Sequence, residues 1–272
     1  MKMDGFLLRE SQGIRYYSCR ALEGIEYLRH GFSTRGGGVL GPAESSLNLG
    51  YTSWDSAERI TENRRRFLSA LNIEHSRLAT LRQIHSNRVY IIEDNFTEGN
   101  QSEGDAFTTR VRGISLAVQT ADCLPVLIAD PANRAIAAVH SGWRGTLSRV
   151  LFQTVQEMEK AFGSRPPDLI TAVGPGIRVC CFEVGSDVAE RFEQEYPGSG
   201  IVKPAAPNTG KYLVDLGRAL DLQLSSAGVQ EKNRHDLNAC TRCNTDEFYS
   251  YRAEGPAAGR MMAVISLRKA AD

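Results

Sequence analysis

Nowhere in the 272-residue chain do apolar residues run to the roughly 20 in succession that a membrane-spanning helix requires. An excess of charge of one sign is missing too. Lys plus Arg and Asp plus Glu each number 32, so no global field draws the chain to nucleic acid or to an anionic membrane, and any anion binding has to be local. Cysteine is sparse. Six thiols in a chain of this length do not make a disulfide scaffold, so Cys19, Cys123, Cys180, Cys181, Cys240 and Cys243 read as free, buried or metal-binding. The opening stretch MKMDGFLLRESQG carries Asp4 and no sustained apolar run of the signal-peptide type, which sets the expectation of a cytoplasmic protein.

What is present is enough apolar material, 42% of residues, to fill a sizeable core. No repeat or convincing linker divides the chain, and the polar stretches 36 to 50, 93 to 105 and 202 to 211 read as loops inside one domain covering residues 1 to 272. Helix signals are plain in AERITENRRRFLSAL after Asp55-Ser56, in TLSRVLFQTVQEMEKAFG from a Thr146 cap to Gly163, in DVAERFEQEY, and in DLGRALDLQLSSAG closing at Gly228. Short β-branched runs between them predict strands: NRVYIIED, GISLAVQTAD, CLPVLIAD, RAIAAVH, DLITAVG and RMMAVISLR. The strands at 114 to 120 and 124 to 129 have no helix between them. The expected architecture is therefore α+β, with mixed sheets flanked by helices, rather than a doubly wound parallel fold.

Candidate chemistry sits at strand ends. His140 closes RAIAAVH just before GWRG, Cys123 lies between two apolar runs in TADCLP, and His85 stands ahead of NRVYIIED. Each taken singly is more often a structural residue, and a lone cysteine among apolar neighbours is more often a small core side chain. Context argues otherwise: Asp122 beside Cys123 and Arg144 close after His140 place charge at the edge of buried segments, where it is costly unless paired or used. Two histidines and a thiolate would hold zinc with an open fourth position, which is the catalytic pattern. The rival zinc reading, Cys240-Thr-Arg-Cys243 with Cys180-Cys181, is poorer, because adjacent cysteines are badly placed to chelate one ion together and no second CxxC exists. As a redox pair the CxxC lacks a thioredoxin-like context. FSTRGGGVLG is no nucleotide fingerprint, since nothing after it reads as the required helix; its Arg35 still sits among backbone groups free to approach an anion, against the alternative of a flexible surface loop.

Taken in order, HGFSTRGGG with SLNLG, RQIHS, DAFTT, TADCLPVLIAD, AAVHSGWRGT, VGPGI with CCFEVG, and CTRCNTDEFYSYR resemble the multicopper polyphenol oxidase, or laccase-domain, family, whose members are also described as purine nucleoside phosphorylases. The resemblance spans residues 30 to 267. It implies a single-domain mixed α/β fold and a zinc site from the RQ-x-H histidine, the ADC cysteine and the H-x-GWRG histidine, here His85, Cys123 and His140. It implies cleavage of adenosine, inosine, guanosine and methylthioadenosine with phosphate, and deamination of adenosine; the older label rests on phenol oxidation with copper. The partners expected are thus purine nucleosides and phosphate, with neither nucleic acid nor membrane. The chain departs from the family at Ser86, where glycine is more usual, at Ser141, where alanine is, and in the additional Cys243.

For such a phosphorolysis, Arg35 and Arg144 are the candidate anion binders, Asp122 is placed to orient a ligand or bond the substrate, and Asn48 and Gln83 are further pocket residues. Other classes stay open. Cys123 with a histidine would make a metal-independent cysteine hydrolase. A copper polyphenol oxidase is chemically harder, because five histidines are too few for a blue-copper centre plus a trinuclear one. A non-catalytic interaction module would need the same residues to be structural.

Overall fold

The computed structural model describes residues 5–39, 46–74, 77–94, 96, 102–207 and 209–268. Two six-stranded mixed sheets lie face to face. The first runs in the order Phe6–Ser11, Ile14–Cys19, Leu28–Ser33, Met261–Leu267, Ser115–Thr120, Leu78–Ala79. The second runs Arg234–Asp236, Ile170–Val173, Leu124–Asp130, Ala135–Ser141, Ala106–Thr109, Val89–Ile91. A small three-stranded sheet, Glu183–Gly185, Lys211–Val214 and Val202–Pro204, flanks them.

Strand periodicity explains the layering. Along Ser115–Thr120, Leu116 and Val118 enter the core between the sheets, while Ala117 faces a second core under the helix Ala57–Ala70. Along Ala135–Ser141, Ile136 and Ala138 face inward, and Ala135, Ala137 and Val139 face the helices Val150–Phe162 and Leu216–Ser226. The central strands are covered on both faces, so they are buried throughout and mostly apolar. The result is one mixed α+β domain with sheets flanked by helices, as the sequence led us to expect, and its layers run helix on sheet on sheet on helix.

Local signals hold where the chain carries them. Ser56 caps Ala57–Ala70 by accepting a hydrogen bond from the Arg59 N–H, and Asp215 does the same for Leu216–Ser226 from Arg218. Two expectations need correction. The helix read from Thr146 to Gly163 is broken: Trp143–Leu147 ends, Arg149 takes φ 58°, and a second helix starts at Val150. The stretch 202 to 211 is not a plain loop, because Val202–Pro204 pairs antiparallel with the strand that opens at Lys211. Among the described residues, no helix is long and apolar enough to cross a membrane.

Candidate functional site

The chain leaves the first sheet at Thr120 and enters the second at Leu124, so Ala121, Asp122 and Cys123 form the corner between the two layers. Asp122 turns that corner at φ 86°, a left-handed conformation that costs a non-glycine residue free energy and persists only where surroundings hold it. Two hydrogen bonds do so: Thr241 Oγ1 donates to Asp122 Oδ1 at 2.7 Å and the Arg252 N–H to Oδ2 at 2.6 Å. His140 keeps the inward parity of Ile136 and Ala138 at the end of its strand. His85 comes from the loop before Val89–Ile91 and is also left-handed, at φ 59°.

These three backbones bring the side chains together. One ring nitrogen of His85, one of His140 and the Cys123 Sγ lie within 4.8 Å of each other. Cys123 Sγ stands 3.9 Å from His85 Nε2, and the two imidazoles meet edge to face with centroids 5.0 Å apart. Gly142 permits the approach, since a Cβ there would lie 2.8 Å from His85 Cδ2 and 2.9 Å from Cys123 Sγ.

Asp105 organises the cluster. Its fully buried carboxylate accepts from the His140 Nδ1–H at 2.8 Å, the His85 N–H at 2.9 Å, the Ile84 N–H at 3.3 Å, and both the N–H and hydroxyl of Ser86. Burial works to raise this carboxyl, but the bonds from His140 and Ser86 overcome it and hold it at about 2. With Nδ1 committed to Asp105, Nε2 is the His140 nitrogen left for other partners. Ser86, which departs from the family pattern, thus anchors the loop that carries His85.

Burial pushes the Cys123 thiol up, yet the charge and hydrogen bond of His140, with His85, pull it down to about 6. Burial lowers His140, and the Cys123 thiolate with the Asp105 carboxylate outweighs it, raising the imidazole to about 9. The pair is therefore poised as thiolate and imidazolium around neutrality. Two imidazoles and a readily ionised thiol, with a carboxylate orienting one ring, form a donor set that could hold a borderline divalent cation.

All three side chains line a cavity of about 500 Å³. Tyr51, Trp143, Phe182 and Tyr251 supply aromatic walls, Leu81, Ile177 and Leu216 aliphatic ones, and Arg252 and Arg260 the cationic groups. The other sequence candidates are placed unequally. Gln83 lines the cavity and clamps the neighbouring strand, donating to the Gln119 carbonyl and accepting its N–H, each at 2.7 Å. Asp122 also lines it, with both oxygens engaged as described. Asn48 is fully buried outside it. Its Oδ1 accepts from the Gly50 and Arg260 N–H groups, so it positions the segment that presents Arg260. Arg144 is exposed and stacks 4.3 Å from the Trp143 ring centre, adjacent to the cavity.

Arg35 does not reach the cavity. Its guanidinium pairs with Glu254 at 2.9 Å, donates to the Thr245 carbonyl and lies over the Tyr249 ring. A cation so engaged ties the glycine loop to the segment 245 to 254, away from the cavity. Asp105, Arg252 and Arg260 escaped the sequence reading. Asp105 opens the DAFTT block and Arg252 closes CTRCNTDEFYSYR, so both lay inside the resemblance without a role, whereas Arg260 carried no signal.

A mixed α+β domain with an imidazole, thiol and imidazole cluster at the corner between its two large sheets defines the class. The chain belongs to the family described as multi-copper polyphenol oxidoreductase laccase, whose profile matches residues 29–268. It is 39% identical over 239 residues to a purine nucleoside phosphorylase of Deinococcus radiodurans, covering 88% of each chain. It is 34% identical over 254 residues, 90% of this chain and 95% of the other, to adenosine deaminase RL5 of an unknown prokaryotic organism. Among solved structures it superposes on YlmD from Geobacillus stearothermophilus with a TM-score of 0.87 at 28% identity, covering 96% of this chain and 98% of that one.

Proposed function

We propose that the protein is a purine nucleoside phosphorylase that also deaminates adenosine, working at the cavity around His85, Cys123 and His140. The observation carrying the proposal is that this cluster opens into a cavity of a nucleoside's size in a chain similar to proteins named for both activities. In phosphorolysis a phosphate oxygen forms the new bond to ribose C1′ while the bond to the purine nitrogen breaks, and the base departs with the bonding pair and takes up a proton. Positive charge grows on the sugar and negative charge on the base, so the site must hold an anion on one side and stabilise a leaving group on the other.

The residues fit those tasks. Tyr51, Trp143, Phe182 and Tyr251 offer faces on which a purine can stack. Arg252 and Arg260 line the cavity, with Arg144 at its edge, and are the proposed phosphate binders; they take the place sequence reasoning gave to Arg35. Asp105 holds His140 and the His85 loop in register, while Asp122 fixes the corner and the backbone of Arg252. His85, Cys123 and His140 would hold zinc, which supplies Lewis acidity toward the departing base or toward C6 in deamination.

The Cys123 and His140 ion pair favours a second reading, a metal-independent thiol nucleophile with its base. Chromatography of adenosine incubated with the protein separates the activities. Adenine and ribose 1-phosphate that appear only with phosphate support phosphorolysis, and inosine formed with or without phosphate supports deamination. Turnover undiminished by a chelator and abolished by iodoacetamide supports the thiol reading instead. Phenol oxidation with copper and no action on nucleosides supports the oxidase.

A further inference from the structure

Four of the six cysteines converge on one place outside the cavity. Cys180 and Cys181 occupy a turn in which the Cys181 and Phe182 N–H groups both donate to the Arg178 carbonyl. Cys240 and Cys243 occupy another, beginning at the bridge between Cys240 and Gly176 and closed by the Asn244 N–H to the Thr241 carbonyl. The sequence argued against these pairs acting together, because adjacent cysteines are badly placed to chelate one ion and no second CxxC exists; that objection holds for an extended segment, where neighbouring side chains point to opposite sides. Here the segment is a turn, and that objection does not apply. All four Sγ atoms lie within 4.8 Å of one another, with Cys181 to Cys243 at 3.4 Å and Cys180 to Cys243 at 3.6 Å.

Those distances discriminate between chemistries. A disulfide needs its sulfurs about 2.05 Å apart, and all four thiols are free. Around a tetrahedral zinc with bonds of about 2.3 Å, thiolates stand about 3.8 Å from one another. The observed separations exclude the first case and lie near the second. Cys240 is buried while Cys180 and Cys243 are exposed, so an ion has a route in.

We propose that Cys180, Cys181, Cys240 and Cys243 form a second metal site, a closed tetrathiolate centre for zinc, distinct from the cluster at His85, Cys123 and His140. Binding releases four protons and forms four metal–sulfur bonds with no change of oxidation state. A site with four protein ligands leaves no place for substrate, so its role is structural. It staples the turn carrying Ile177 and Phe182 to the segment carrying Thr241, the residue that fixes Asp122; Ile177, Phe182 and Asp122 all line the cavity. The inference stands whether or not the proposed phosphorolysis does.

The test is metal analysis of full-length protein purified under reducing conditions without metal-affinity resin, as wild type, Cys243→Ser, His140→Ala and the double variant. Cys243 is exposed, so its serine variant should fold, and circular dichroism checks this. The inference predicts that Cys243→Ser loses one zinc per chain relative to wild type. It predicts that His140→Ala retains the tetrathiolate zinc and, reconstituted with cobalt, shows the strong near-ultraviolet thiolate-to-cobalt charge transfer that the double variant lacks. Zinc lost entirely from His140→Ala, unchanged zinc in Cys243→Ser, or a Cys243 disulfide to Cys180 or Cys181 in non-reduced peptides would overturn it. If His140→Ala keeps all of the wild-type zinc and Cys243→Ser keeps none, the tetrathiolate site stands and the catalytic zinc falls.

Discussion

Replacing Asp105 with asparagine removes the group that holds the cluster in register, at almost no change in volume. The carboxylate accepts from five donors: the His140 ring, the Ile84, His85 and Ser86 N–H groups, and the Ser86 hydroxyl. An asparagine presents one oxygen and one NH2 to donors that all point inward. At least the donors on one side then lose their acceptor, at about 1 to 3 kcal/mol for each buried group left unsatisfied. Proton linkage gives a similar figure. A carboxyl held at about 2 rather than 3.8 adds about 2 kcal/mol to stability. Because the folded state depresses this group, the contribution is complete above about pH 4 and is lost as pH falls toward 2. The expected cost at neutral pH is about 3 kcal/mol, or roughly 5 °C in Tm for a chain of this size, with metal affinity and turnover down roughly 10- to 100-fold. Thermal unfolding between pH 3 and 8, with zinc titration of chelator-stripped protein, measures both effects. An Asp105→Asn variant with wild-type Tm and wild-type zinc affinity would refute the reasoning.

Other outcomes follow from single contacts. Cys123→Ala is expected to abolish base release and deamination with circular dichroism unchanged, and phosphorolysis at the normal rate would contradict the metal-centred scheme. Gly142→Ala places a methyl 2.8 Å from the His85 ring and 2.9 Å from the Cys123 sulfur; we expect turnover to fall more than tenfold (over about 1.4 kcal/mol in the barrier), read in steady-state kinetics. Arg35→Ala should lower Tm through loss of the Glu254 pair while leaving the KM for phosphate unchanged, whereas Arg260→Ala should raise that KM. In chelator-stripped protein, iodoacetamide alkylation of Cys123 should rise through pH 6, following the depressed thiol, and a midpoint near 9 in the alkylation profile would contradict the His140 ion pair.

The parts of the site that could be read from the sequence were those whose chemistry contradicted their local setting. His140 and Cys123 are polar or reactive groups at the ends of strands buried throughout, and His85 lies in the loop that leads into another. Arg35 was misplaced because a glycine loop signals backbone freedom and says nothing of which carboxylate waits across the fold, here Glu254. Arg252, Arg260 and Tyr251 enter the cavity from a segment far along the chain; the block CTRCNTDEFYSYR contains Tyr251 and Arg252 but no local pattern says that they face the cavity, and Arg260 lies outside it. The strands Phe6–Ser11 and Ile14–Cys19 escaped notice because edge positions such as Arg9 and Glu10 break the apolar alternation. The break at Arg149 carries neither glycine nor proline, and the packing around it overrides a continuous helical stripe.

The central claim is that His85, Cys123 and His140 hold a metal that the purine chemistry requires. Zinc per chain and phosphate-dependent base release from adenosine and inosine, measured on the same preparations of wild type and His140→Ala, test it most directly. The account predicts that His140→Ala carries one zinc fewer than wild type and releases neither base. A His140→Ala protein that keeps all of the wild-type zinc, or one that loses it and still turns over nucleosides at the wild-type rate, would contradict it.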